Sequence, residues 1–80
     1  GAPRDVFHEQ VKAQRQGLVN AIATVLIEAG LPVSTARQRG EDAVITIQGA
    51  LILSRGLDDS SPFQRAIAQL PQKLCEDLPV

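Results

Sequence analysis

The residues of this chain that are able to do chemistry are few and scattered. Its one histidine, His8, and its one cysteine, Cys75, lie at opposite ends of the sequence. A catalytic histidine needs an oriented nucleophile within hydrogen-bond reach, and none lies near His8 in the sequence. We therefore expect His8 to be an exposed histidine and Cys75 to be a half-buried thiol that packs as a small apolar side chain. The sequence predicts no catalytic residue and no enzyme.

Two pairs of acids and two glycines also lack the spacing of a binding site. Glu41-Asp42 and Asp58-Asp59 are adjacent pairs, whereas the acids of a calcium loop alternate with other residues. Neither Gly40 nor Gly49 follows a strand or precedes Gly-Lys-Ser/Thr, so they do not form a phosphate-binding loop. We expect the acids to face solvent and the glycines to lie where two helices approach closely. No cofactor and no metal site are predicted.

The composition indicates a small folded domain without a nucleic-acid surface. The chain has 80 residues and a net charge of −1, and its eight Lys and Arg are spread among nine acids, which excludes a basic footprint. With 44% hydrophobic and only 2% aromatic residues, the core must be aliphatic. The longest apolar run is far shorter than the roughly 20 residues of a membrane span, and no signal peptide is visible. A single cysteine suits a reducing compartment. We expect a soluble, cytoplasmic protein without a membrane partner.

Helical periodicity and turn residues predict three helices at about 5–29, 34–55 and 61–76, and no strand. Gly30 suits the left-handed position after the first helix, and Pro32 prevents its continuation. Ser34 is the predicted N-cap of the second helix, and Gly56 its left-handed end. Because the connections are short, neighbouring helices are expected to be antiparallel. The predicted fold class is all-α.

The third helix carries the sharpest local signals. Ser61 is the predicted N-cap, with Pro62 at the first helical position and Gln64 completing a capping box. Pro71 is expected to kink or interrupt the helix near Leu70. Residues 78–80 are expected to fray.

The second helix is apolar on two sides, which a surface helix is not. One stripe runs through Ala36, Gly40, Ala43, Val44, Ile47, Ala50, Leu51 and Ser54, and the other through Ile45, Gly49, Ile52 and Leu53. A chain of this length provides one core, so we expect the second stripe to contact another subunit. The first half of the first helix is polar and is expected to project beyond the core.

Residues 49–74, GALILSRGLDDSSPFQRAIAQLPQKL, resemble the end of TetR/AcrR-type transcriptional repressors, in particular the LmrA and YxaF subgroup. The resemblance lies in the Gly-Ala-Leu-Ile-Leu-Ser-Arg pattern at 49–55, the polar loop at 56–61, Pro62-Phe63 and Leu70-Pro71. The upstream segment LIEAGLP at 26–32 resembles a helix end and turn of the same family. In all, the resemblance covers residues 18–74.

The resemblance implies a homodimeric repressor that binds a small hydrophobic effector. The last two helices of each subunit would form an intersubunit four-helix bundle, and residues 1–80 would be the C-terminal dimerisation and effector-binding region. The helix-turn-helix domain that contacts DNA is absent from this sequence, which lacks an initiator Met and is expected to be a fragment. DNA would be bound only through that N-terminal domain.

Two sets of site residues follow, each with a plainer alternative. The predicted dimer interface consists of Ile45, Gly49, Ile52, Leu53, Phe63, Ile67, Leu70 and Leu74. For each of these, ordinary core packing within the chain is the alternative. The predicted ligand contacts are Phe7, Val11, Leu18, Ile22 and Gln48. Gln48, if buried, requires a hydrogen-bonding partner, which a ligand, a backbone group or a water would supply.

A different class of function is also consistent with the surplus stripe. A stand-alone helical adaptor or scaffold would bind a partner helix in an apolar groove. Such an adaptor is expected to be monomeric until its partner arrives, whereas the repressor segment is expected to be a symmetric homodimer.

Overall fold

The computed structural model describes residues 3–78, and within that range it contains three α-helices and no strand. Helix α1 spans Pro3–Glu28, α2 spans Val33–Leu57 and α3 spans Ser61–Leu74. The observed and predicted helix ends agree to within two residues. The all-α fold class is confirmed, while the four-helix bundle involves a second chain and stays a prediction. None of the helices in the described range is long and apolar enough to cross a membrane.

Helix α2 lies between the other two helices. Helices α1 and α3 each pack along α2 but scarcely touch one another. The Ser54 hydroxyl contacts the backbone of Phe63, and Arg39 contacts the backbone of Leu74, so α2 and α3 run in opposite directions. The Cα atoms extend over 47 × 35 × 13 Å. The fold is therefore flat, with the core confined to the contacts along α2.

The core is small and consists of aliphatic residues near the turn between α1 and α2. Its buried cluster contains Ala23, Leu26, Leu31 and Ala36, and Ile22, Leu74 and Leu78 pack against it. Within residues 4–78 no large side chain is fully buried. The N-terminal half of α1 projects away from this cluster, as predicted, since residues 4–18 are exposed apart from Val11.

A close helix contact explains Gly40. A Cβ atom at this position would lie 2.8 Å from the carbonyl oxygen of Val19 in α1, so only glycine allows the observed approach of the two helices. The prediction of a close approach is confirmed at Gly40. At Gly49 a Cβ atom would meet nothing within 4 Å in the single chain.

The residues predicted to cap the two ends of α2 are wrong, although each lies within two residues of the observed cap. Helix α2 begins directly after Pro32, whose carbonyl accepts the N–H of Ala36, so Ser34 lies inside the helix. At the other end the helix continues past Gly56 to Leu57, and Asp58 takes the left-handed conformation with φ 55°. Aspartate tolerates this conformation because its short polar side chain can hydrogen-bond locally. Gly30, by contrast, has φ 111°, which confirms its predicted left-handed role.

The start of α3 is capped differently from the predicted capping box. Ser60 is the N-cap residue, and the Asp59 carboxylate accepts hydrogen bonds from the N–H and the hydroxyl of Ser61 at 2.9 and 2.7 Å. The hydroxyl bond, followed by the N–H bond, lowers the pKa of Asp59 below its ordinary value. Gln64 does reach back, but its amide donates to the Ser60 hydroxyl. The predicted N-cap at Ser61 is therefore one residue too late.

The end of α3 also departs from prediction. The helix is continuous through Pro71 to Leu74, so the predicted interruption is not found. Pro71 is exposed and has no N–H to donate to the carbonyl of Ile67 one turn earlier. Leu78, expected to fray, is half-buried and packs against the core. Pro79 and Val80 lie outside the described residues.

The buried Ser54 hydroxyl joins α2 to α3. It is 8% exposed and accepts the backbone N–H of Phe63 at 3.0 Å, which satisfies one free donor at the start of α3. We expect Ser54→Ala to lower the free energy of unfolding by about 1–2 kcal/mol, because the N–H of Phe63 loses its acceptor. Urea unfolding followed by circular dichroism measures this. Ser34→Ala is the control, since Ser34 is exposed and makes no capping bond; an equal loss in both variants would contradict the role of Ser54.

Candidate functional sites: an outer helix face and an apolar groove

The first candidate site is the outer face of α2, defined by Ile45, Gly49, Ile52 and Leu53. The three large side chains are exposed by 67%, 69% and 51% respectively, although each is aliphatic. They lie across the helix from Ala36 and Ala43, which are buried against the neighbouring helices. At 100° per residue, positions 45, 49 and 52 fall on one line along the helix. The predicted second stripe is thus an exposed apolar face in the single chain.

The second candidate site is an apolar groove between α1 and α3. Its volume is about 590 Å³, and it is lined by Ile22, Val25 and Leu26 from α1 and by Ile67, Leu70 and Leu74 from α3, with Ala21, Pro71 and Cys75 at its edges. All these side chains are aliphatic except the Cys75 thiol. The groove therefore offers apolar contact and no charged group.

The predicted ligand residues are not brought together. Ile22 lines the groove, but Phe7 is 67% exposed on the projecting half of α1, where it borders a shallow recess with Val11. Leu18 is 41% exposed, and Gln48 is half-buried, so water reaches its amide. The prediction of ligand contacts at these five residues stays a prediction, and the structure places Ile22 alone of them in the groove.

The predicted interface residues fall on two surfaces. Ile45, Gly49, Ile52 and Leu53 share the outer face of α2, while Ile67, Leu70 and Leu74 line the groove and Phe63 is half-buried near Ser54. The α3 members belong to the predicted interface because the family resemblance implies that the last two helices form an intersubunit bundle. Periodicity does not show which neighbour each stripe faces.

Sequence reasoning missed Arg39. Its guanidinium donates to the carbonyl oxygens of Leu74 (3.3 Å) and Glu76 and pairs with the Asp77 carboxylate at 3.1 Å. The Arg39 side chain is only 17% exposed. The only sign of this role in the sequence is the position of Arg39, a charged residue on the inward-facing side of α2 beside Ala36, Gly40 and Ala43.

The residues considered for chemistry remain dispersed. His8 is exposed, as predicted. Cys75 is also exposed, so the prediction of a half-buried thiol is wrong; it directly follows α3 and belongs to the lining of the groove. The paired acids are exposed, as predicted. In the described range no three His, Cys, Asp or Glu side chains cluster in a way that would hold a metal ion.

The sequence of these helices matches a known protein family. Residues 3–69 match the family profile described as "Transcriptional regulator LmrA/YxaF-like, C-terminal domain". This chain belongs to that family. The match covers most of the 80 residues and confirms the resemblance read from the sequence. No curated protein and no solved structure gives a significant match to the chain.

Membership in the LmrA/YxaF-like family assigns the chain to the regulatory part of a transcriptional regulator. Both candidate sites belong to the matched region in large part. The outer face of α2 lies wholly within residues 3–69, whereas the α3 wall of the groove extends beyond it from Leu70 onward.

Proposed function

We propose that this chain is the dimerisation and ligand-responsive regulatory segment of a TetR-family transcriptional repressor. In this proposal it is not an enzyme, it acts in the cytoplasm, and it influences DNA binding only through an N-terminal domain that these residues do not include. Family membership supports the regulatory role. The observation that carries the dimer proposal is the apolar outer face of α2, which no side chain of residues 4–78 covers.

The accessible surface supports a second copy as the occupant of this face. The chain exposes 5916 Å², whereas a compact monomer of its mass exposes about 4,700 Å². The excess is on the order of 1,200 Å², and a stable interface buries about 800 Å² on each partner. A symmetric dimer contact of that size would therefore remove about two thirds of the excess surface. Gly49 lies between Ile45 and Ile52 and would let a second helix approach closely.

The dimer proposal rests on the four residues of the outer face. A two-fold contact places the same face of both copies together, so α2 would pack against α2 and α3 would complete the bundle. For Phe63, Ile67, Leu70 and Leu74 the interface role remains a prediction, because three of them already face the groove.

Sedimentation equilibrium of the 80-residue chain tests the proposed function. We expect the mass of a dimer over a wide range of chain concentration. A monomer at every concentration would contradict the dimer proposal and would favour the alternative, an adaptor that stays monomeric until a partner helix occupies its apolar face.

The groove between α1 and α3 is the proposed ligand site. Because its side chains are aliphatic apart from Cys75, we propose a neutral, apolar small molecule as the effector. A charged ligand would lose its hydration there without gaining a partner. Of the predicted ligand residues, this proposal retains Ile22, and it adds Val25, Leu26 and the residues of α3 that line the groove.

The effector would act by favouring one arrangement of the dimer over another. Helix α2 connects the two sites, since its inner side supports α1 and α3 and its outer face meets the second copy. Shifting two arrangements requires differential affinity, and couplings of about 1–3 kcal/mol are typical.

A charge placed in the groove tests the ligand proposal. N-phenyl-1-naphthylamine, a neutral apolar dye whose fluorescence rises in apolar surroundings, is expected to bind the chain, and Val25→Glu is expected to weaken that binding by about tenfold or more. Val25 lines the groove and is 63% exposed, so the change should not unfold the chain. Val33→Glu is the matched control, since Val33 is 58% exposed and lies outside the groove. Equal dye binding by both variants would contradict the site.

A further inference from the structure

The residues after α3 also pack against the core of the protein. After Leu74, residues 75–78 form a short segment, the C-terminal strap, which turns back toward the core. The N–H of Cys75 bonds to the carbonyl of Pro71 at 3.1 Å, and the N–H of Leu78 bonds to that of Cys75 at 3.3 Å. Asp77 adopts a left-handed backbone conformation with φ 61°. Residues other than glycine adopt this conformation at a cost in free energy.

The strap closes the core at its end. Leu78 packs against the buried cluster around Leu26 and Ala36 at the turn between α1 and α2. It thereby adds a second contact with the core beside the one that Leu74 of α3 makes with the same cluster.

One side chain holds the strap in place. Arg39 projects from α2 and reaches three acceptors, the carbonyl oxygens of Leu74 and Glu76 and the carboxylate of Asp77. A planar guanidinium can satisfy several acceptors at once because its donors form a rigid fork. No other side chain in residues 4–78 forms a hydrogen bond with the strap.

We propose that the C-terminal strap is a releasable latch, held closed by Arg39, that sets the position of the groove's α3 wall. Leu74 and Cys75 belong both to the groove lining and to the segment that Arg39 fixes. When Arg39 no longer bonds to its three acceptors, the strap opens and Leu78 leaves the core. The carboxyl end of α3 can then move relative to α1. The regulation of ligand entry by this latch rests on the ligand role proposed for the groove; the opening of the latch does not.

Several observations favour release over permanent closure. The Asp77 carboxylate is 86% exposed, so its ion pair with Arg39 is screened by solvent. The left-handed conformation of Asp77 opposes closure, and only one apolar side chain, Leu78, anchors the strap. Segments with few buried contacts open locally without global unfolding. The family profile ends at residue 69, so the strap is a feature of this chain outside the matched region.

Hydrogen exchange of the intact 80-residue chain tests the latch. We expect Arg39→Ala to speed exchange of the Cys75 and Leu78 amides by about tenfold or more, with little change at Ala36 in the core. Arg37→Ala is the matched control, because Arg37 is an exposed arginine of the same helix that bonds to Asn20 and not to the strap. Arg39→Lys keeps the charge but lacks the fork and should give an intermediate increase.

Unchanged exchange at Cys75 and Leu78 in Arg39→Ala would overturn the proposal, as would an equal increase throughout the chain. A second arm separates the latch from the ligand site. In the unmodified chain, saturating N-phenyl-1-naphthylamine is expected to slow exchange of the Leu78 amide by about threefold or more, an effect that Arg39→Ala should abolish. Dye binding without this protection would overturn the gating role. Absence of dye binding would count against the proposed ligand function, while the Arg39→Ala comparison would still decide the latch.

Discussion

Replacing Ile52 with glutamate is expected to convert the proposed dimer into a monomer. Ile52 lies on the apolar outer face and is 69% exposed in the single chain, so the new carboxylate costs the monomer little. In a two-fold dimer both copies would bury an unpaired carboxylate at the interface. Burying an unpaired charge costs about 3 kcal/mol or more, which weakens dimerisation by roughly a hundredfold or more.

Sedimentation equilibrium of Ile52→Glu beside the unmodified chain measures this effect. Val33→Glu is the control, because it adds the same charge to an exposed valine at the start of the same helix, away from the outer face. Circular dichroism should show equal helix content in all three chains. A dimer that persists unchanged in Ile52→Glu would place the subunit contact elsewhere than the outer face of α2.

The second large effect is expected at Gly40. In Gly40→Ala the new methyl group would lie 2.8 Å from the carbonyl oxygen of Val19, a backbone atom that cannot rotate aside. Helix α1 would have to move away from α2 beside the buried cluster. Overpacking of this kind costs about 1–3 kcal/mol, and the better helix propensity of alanine offsets about 1 kcal/mol. We expect a net loss of up to about 2 kcal/mol, which would be a large fraction of the stability of a domain with so small a core.

Gly17→Ala provides a control with the opposite expected sign. Gly17 lies within α1, and a Cβ atom there would meet nothing within 4 Å. The substitution should therefore raise the free energy of unfolding by up to about 1 kcal/mol through helix propensity alone. Urea unfolding of both variants at one fixed chain concentration measures the difference, since dimerisation contributes to apparent stability. Two stabilised variants would contradict the close contact of α1 and α2 at Gly40.

Together these expectations separate the inner and outer sides of α2. Gly40 is on the inner side, where a substitution should change the stability of the chain itself. Ile52 is on the outer side, where a substitution should change association and leave the fold intact. The proposed regulatory role would need both properties, because a stable helix layer would have to carry the ligand signal to the contact between subunits.

Local patterns in the sequence were sufficient for the number, type and approximate limits of the helices. Gly30 and Pro32 separate α1 from α2 because one permits a left-handed turn and the other has no N–H for a continuing helix. The two apolar stripes of α2 were visible because a helix repeats every 3.6 residues. The motifs at 49–55 and 62–71 identified the family, which the match over residues 3–69 confirms.

Contacts between distant parts of the chain were beyond the reach of those patterns. Arg39 meets residues 35 to 38 positions later in the chain, and Ser54 caps a helix that begins after the next loop. The sequence predicts that the apolar stripe of α3 faces another subunit, and this stays a prediction; the groove that Ile67 and Leu70 form with α1 in the single chain was not visible in the pattern. The periodicity of apolar residues describes each helix separately, so it shows which side chains share a face of that helix. Which partner covers that face depends on how the helices pack against one another, and this arises only when the whole chain is folded.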